Sequence, residues 1–149
     1  MIISFPLDLK KLFNLGTAYP WVRPAYCPTC HTNHVWGHGY KPTLFDGFPQ
    51  PLYLKRYRCP NCGCVIIIRP NTHYSRFQAS KDTIRSSLSI RLTTGKWPPW
   101  LSSHSRGRHW LISLKRKTLS IFGLDAGSSL LGVFDRLSET GITPVSRSI

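Results

Sequence analysis

The sequence predicts an α+β fold, with short antiparallel strands in the first half and a helical bundle in the second. Three observations predict it. Four of the five cysteines stand in two C-x-x-C pairs, Cys27/Cys30 and Cys59/Cys62. Short apolar and aromatic runs of strand length, bounded by Gly, Pro and Asp, lie around those pairs. From Arg76 onward cysteine disappears, serine rises and apolar residues recur with helical spacing. The expected organisation is an N-terminal arm over 1–24, a cysteine-bearing strand region over 25–75 and a basic helical domain over 76–149.

The arm carries one short helical piece, Leu7 to Leu15, between Pro6 and Gly16. The strand candidates are Val35–Tyr40, Leu52–Tyr57 and Val65–Arg69. Asp46-Gly47 suits the turn between the first two. In the second half Ser80 is a good N-cap, Ile84, Leu88 and Leu92 share a face, and Gly95 closes the helix. Trp97-Pro98-Pro99-Trp100 reads as a stiff turn, with Pro99 acceptable as the first residue of a short helix. A further helix is expected from Arg106 to Phe122, and Gly123 and Gly127 break the chain after it. Ser128 is the expected cap of a last helix ended by Gly141, with Leu130, Leu131, Val133, Phe134 and Leu137 as its apolar stripe. Thr143-Pro144 resembles another helix start. The five residues 145–149 are too few to sustain one, so a frayed tail is expected.

Each cysteine pair has the form C-P-x-C, and 28 residues separate the pairs. Two thiolates in such a turn converge on a metal, and proline fits because it leaves no amide donor unpaired. Gly63 suits the sharp turn that follows the second pair. Cys27, Cys30, Cys59 and Cys62 together make a closed four-thiolate sphere, the structural kind that one zinc ion fills. The first half therefore reads as a zinc ribbon. Cys64 is the spare thiol, and His31, His34 and His38 are not needed as ligands. A disulfide framework would spread its cysteines, and a thioredoxin-like redox pair needs a βαβ context that is missing here.

The 20 Lys and Arg against 6 Asp and Glu leave a formal charge of +14. Such an excess attracts polyanions. The charge is placed rather than spread. Residues 76–117 hold ten basic residues and one acid, net +9, while 118–149 are net −1. On a helical wheel Trp110, Leu111, Leu114, Thr118, Ile121 and Phe122 fall within an arc of roughly 120°. Arg106, Arg108, His109, Lys115, Arg116 and Lys117 fall outside it. A helix with one packed face and one cationic face can lie in a DNA major groove while anchored to a bundle. In the strand region Arg56 and Arg58 flank Tyr57, basic residues interleaved with aromatics that suit phosphate and base contacts. The candidate nucleic-acid contacts are Arg56, Arg58, Arg76, Arg106, Arg108, Lys115, Arg116 and Lys117. No apolar run reaches the roughly 20 residues a membrane span needs, and no signal-peptide pattern opens the chain. A cytoplasmic, nucleoid-associated protein with no membrane partner is expected.

Pro24-x-x-Cys27-Pro-x-Cys30, Val35-Trp36-Gly37-His38-Gly39 and Arg56-Tyr57-Arg58-Cys59-Pro60-x-Cys62-Gly63 resemble the zinc-finger region of bacterial insertion-sequence transposases. Arg76-Phe77-Gln78-Ala79-Ser80 and Gly107-Arg108-His109-Trp110-Leu111 look like a narrower group of short mobile-element proteins with a zinc ribbon and a helix-turn-helix-like region. The resemblance implies DNA recognition in transposition. Full transposases also need three carboxylates holding two metals on a larger fold. The six acids here, Asp8, Asp46, Asp82, Asp125, Asp135 and Glu139, do not supply that set. The expectation is a non-catalytic DNA-binding protein, a transposase accessory factor or a remnant. The alternatives are an RNA-binding zinc-ribbon protein and an adaptor that docks a transposase or other protein on the C-terminal helix.

Overall fold

A computed structural model describes residues 1–123 and 129–147. The chain divides into two compact units, Met1–Gln78 and Ala79–Ile149. The first unit is built on a four-stranded sheet and the second on three helices.

In the first unit β1 is Ile2–Phe5, β2 Trp36–Thr43, β3 Leu52–Arg58 and β4 Val65–Pro70, in the order β1-β4-β3-β2. β2, β3 and β4 are antiparallel neighbours and follow the β-branched and aromatic runs of the sequence. β1 pairs in parallel with β4, from Ile2 opposite Ile67 to Phe5 opposite Pro70. Residues 1–24 are therefore not an arm. Their first strand completes the sheet, and helix α1, Leu9–Leu15, buries Leu12 in the core. Asp8 caps α1 by accepting from the Lys11 amide at 3.0 Å, and a 3-10 turn, Gly16–Ala18, follows. The core gathers Leu12, Val35, Leu52, Leu54, Ile66 and Ile68, with Cys27 and Cys59 at its margin.

In the second unit α2 is Lys81–Thr94, α3 His104–Phe122 and α4 Leu130–Glu139. Serine oxygens cap all three: Ser80 accepts from Thr83, Ser103 from Arg106 and Ser129 from Gly132. Gly95 ends α2 at φ 71°, the left-handed conformation a C-terminal glycine adopts without strain. The expected cap Ser128 lies outside the described residues, as do Asp125 and Gly127. No helix starts at Pro99; the Leu101 amide instead bonds back to the Pro98 carbonyl in a turn. Nine residues, 95–103, separate α2 from α3, more than the three or four of a helix-turn-helix turn.

The packed faces differ from the wheel in detail. On α2 Ile84 and Leu88 are buried, but Leu92 is 39% exposed. On α3 the buried set is Gly107, Trp110, Ser113, Leu114 and Thr118, while Ile121 is half exposed. Small residues occupy two of those positions, which a hydrophobicity pattern passes over. The chain end is not frayed through residue 147. Pro144 and Val145 are buried, and the Ser146 amide donates to Ser113 Oγ at 2.9 Å. A segment too short for a helix is held by burial and by hydrogen bonds that join Thr143 and Ser146 to α3. Ser148 and Ile149 lie outside the described residues.

Candidate functional site

The two C-P-x-C turns fold alike. Cys27 N–H donates to the Thr32 carbonyl at 2.8 Å, and Cys59 N–H to the Cys64 carbonyl at 2.9 Å. The His31 amide bonds to the Cys27 carbonyl and the Gly63 amide to the Cys59 carbonyl, at 2.9 and 3.0 Å. The residue after each second cysteine takes positive φ, 58° at His31 and 72° at Gly63. The second turn has glycine at this position; the first has histidine, which must carry the steric cost of a Cβ there. The equivalence of His31 and Gly63 was missed in the sequence. The only signal for it was their shared place after each second cysteine.

β3 leads into the second turn and β4 leaves it, while Val35, just beyond the first turn, is fully buried at the start of β2. This brings the four sulfurs together, all within 4.8 Å of one another. Cys27 Sγ lies 3.6 Å from Cys62 Sγ, and Cys30 Sγ 3.5 Å from Cys59 Sγ. A disulfide would need about 2.0 Å. Four sulfurs around a tetrahedral centre with bonds of about 2.3 Å would be about 3.8 Å apart. The cluster can hold one metal ion, and its donor set is consistent with zinc. Cys27 and Cys59 are fully buried, Cys30 is half-buried and Cys62 is exposed. Cys64 stands outside the cluster, its thiol turned to the Val65 carbonyl at 3.9 Å. His31, His34 and His38 are not members either.

The electrostatics of the four thiols are consistent with a cation site. The Cys30 amide, with further donors, lowers the Cys27 pKa to about 6. The Thr32 amide lowers Cys30 below the ordinary thiol value. At Cys62 the Cys64 amide favours the thiolate, but burial and the three neighbouring sulfurs push the pKa up to about 12. Charge placed on the first sulfurs thus resists charge on the last, and four thiolates need a metal to coexist.

The basic candidates separate into kinds. Arg108, Lys115 and Arg116 are exposed on α3. Arg108 and Lys115 are seven residues apart and share a stripe, which also carries Ile112 and Leu119, each about half exposed. Arg106 is half-buried, with its guanidinium 5.2 Å from the Trp110 ring centre. Lys117 is half-buried and donates to the Thr143 carbonyl, and burial lowers its pKa. In the first unit Arg58 is exposed and sits opposite Trp36, itself 60% exposed, across β3 and β2. Arg56 is half-buried, and Arg76 is exposed with φ 67°. Of the apolar stripe of α4, Val133, Phe134 and Leu137 are each at most 2% exposed, and Leu130 and Leu131 are half-buried. Among the described residues no helix is long and apolar enough to cross a membrane.

Compared with known proteins, the chain matches no family model, no curated protein and no solved structure.

Proposed function

We propose that this is a non-catalytic, zinc-dependent DNA-binding protein. The first unit is a zinc ribbon closed by Cys27, Cys30, Cys59 and Cys62, and α3 of the second unit lies against duplex DNA. The observation that carries the reading is on α3: nineteen residues contain no acid, and Arg108, Lys115 and Arg116 are all exposed. A face that is merely solvated usually mixes both signs. The motifs shared with insertion-sequence zinc fingers direct the proposal to transposition, with the chain as an accessory factor or remnant of a transposase system.

A salt titration of duplex binding tests it. If about six phosphates are neutralised, log affinity falls with log salt at a slope near −5. Replacing Arg108, Lys115 and Arg116 together by Ala should reduce that slope by about 3. Lys117→Ala should change it less, because that ammonium is already bonded to Thr143. A folded triple variant that binds like the parent at every salt concentration refutes the role of α3.

A second reading rests on unit 1. Exposed Trp36 opposite Arg58 is the pairing of ring and cation that stacks on unpaired bases. If Trp36→Ala weakens binding to single-stranded RNA and leaves duplex DNA binding intact, that reading replaces the first.

A further inference from the structure

Away from the cysteine cluster, the sheet of the first unit carries a pocket of about 400 Å³. Met1, Ile2 and Ile67 line it with apolar side chains, and Lys41, Arg69 and Arg76 are its charged side chains. Among the described residues no carboxylate lines it. Arg69 is the unusual member. It is only 7% exposed, yet a guanidinium remains charged at any physiological pH. Its Nη2 donates to the Phe77 carbonyl at 3.2 Å, and its carbon lies 5.4 Å from the centre of the Phe45 ring. These contacts hold the group flat. Its Nε is buried with no hydrogen-bond partner. A buried cation is costly unless something anionic lies beside it, and Arg69 lines the pocket.

Arg76 adds a second sign of a built site. It holds φ 67°, a conformation in which glycine would be free of strain. The Phe77 amide bonds back to the Tyr74 carbonyl at 3.1 Å, so the tight turn that strains Arg76 also presents the Phe77 carbonyl to Arg69. One short segment thus fixes one cation and puts another at the pocket.

We infer that Lys41, Arg69 and Arg76 form a binding site for a phosphate group. The buried guanidinium supplies a fixed donor, the two exposed cations supply charge, and the apolar wall leaves room for the organic part of a phosphate ester. The group comes either from a phosphorylated small molecule or from a nucleic-acid backbone. The inference does not depend on the role given to α3.

Nuclear magnetic resonance on the full chain tests it, because the Nε–H of a buried arginine gives its own resonance. Inorganic phosphate added at constant ionic strength should shift the Arg69 Nε–H signal saturably. Arg76→Gly relieves the strained φ and Lys41→Gln alters an exposed side chain, so both variants should fold. Each removes a charge-assisted contact and should weaken phosphate binding about tenfold. A nucleoside monophosphate and a short DNA duplex are then titrated separately. If the duplex moves the same resonance, the phosphate belongs to a nucleic-acid backbone; if only the monophosphate does, the ligand is a small phosphate ester. The Arg108/Lys115/Arg116 triple Ala variant should bind inorganic phosphate like the parent, which separates failure of the α3 reading from failure of this one. Absence of a saturable Arg69 shift, or parental affinity in both pocket variants, overturns the inference.

Discussion

Gly107 is where α3 comes closest to the segment before it, and Gly107→Ala turns that approach into a number. A Cβ built there would lie 2.9 and 3.0 Å from two carbons of the Trp97 ring and 3.0 Å from Leu101 Cδ2. Carbon atoms are comfortable at about 3.5–4.0 Å, so the methyl intrudes on two neighbours at once. Neither moves easily. Leu101 is 4% exposed, and the Trp97 ring has the Arg91 guanidinium 5.3 Å from its centre. Ala is better than Gly inside a helix by about 1 kcal/mol, while overpacking costs about 1–3 kcal/mol. The expected net loss is about 1 kcal/mol. For a unit of this size that lowers the melting midpoint by roughly 4–8 °C. Thermal unfolding followed by circular dichroism reads it. If Gly107→Ala stabilises by the full helical gain, the close approach of Trp97 and Leu101 to α3 is wrong, and so is the burial of that face.

Three further outcomes are expected. Cys62→Ser should release the bound metal, measured by elemental analysis of purified protein, whereas Cys64→Ser should retain one ion per chain because its sulfur lies outside the cluster. Gly63→Ala should destabilise the first unit by about 1 kcal/mol, whereas His31→Gly should cost nothing or stabilise it, since both sites hold positive φ; chemical denaturation of the metal-loaded protein compares them. Asp135, hydrogen-bonded through both oxygens to Arg85 at 2.7 Å, has its pKa held below the ordinary 3.8. Its folded pKa is the lower one, so its contribution is present above the unfolded value and is lost as pH falls through the folded value. Both side chains are 40% exposed or more, which limits the pair to less than about 1 kcal/mol after screening. Asp135→Asn should therefore lower stability slightly at pH 7 and not at all well below pH 3.8; unchanged stability differences across that range would contradict the pairing.

The strands that flank the second cysteine turn were legible from their length and their bounds. Val65–Pro70 is dense in β-branched side chains, and Leu52–Arg58 sets Leu and Tyr among Lys and Arg and lies between Pro51 and Cys59. The four ligand candidates were legible from spacing alone. β1 was not, because Ile2 to Phe5 is four residues long and its partner lies 65 positions away in parallel register. Nothing local announces such a pairing. The tail was misread for a related reason: Val145 is buried and Ser146 is bonded to Ser113 of α3, a contact with no trace in the last residues themselves. On α3 the wheel sorted side chains by hydrophobicity, but the buried face also takes Gly107 and Ser113, chosen for size. The wheel could not separate Arg106 and Lys117 from the other cations either, since both are drawn inward by groups on the protein, Trp110 and the Thr143 carbonyl.

The pairing of β1 with β4 has a consequence for the order in which the chain acquires its structure. Ile2 meets Ile67 only after some 65 intervening residues have been made, and such distant partners close slowly. During synthesis at about 5–20 residues per second the first strand waits several seconds with its apolar side chains unmatched. Cys27 and Cys30 wait over much of the same interval, for Cys59 and Cys62 lie only a few residues before β4. Completion of the sheet and assembly of the four sulfurs thus fall within one short stretch of translation. Before it the first unit has three of its four strands and half a ligand set, and after it has all of both. An arrested nascent chain ending near residue 60 should remain protease-sensitive throughout, and one extended past residue 80 by enough linker to clear the ribosome should become resistant in a single step.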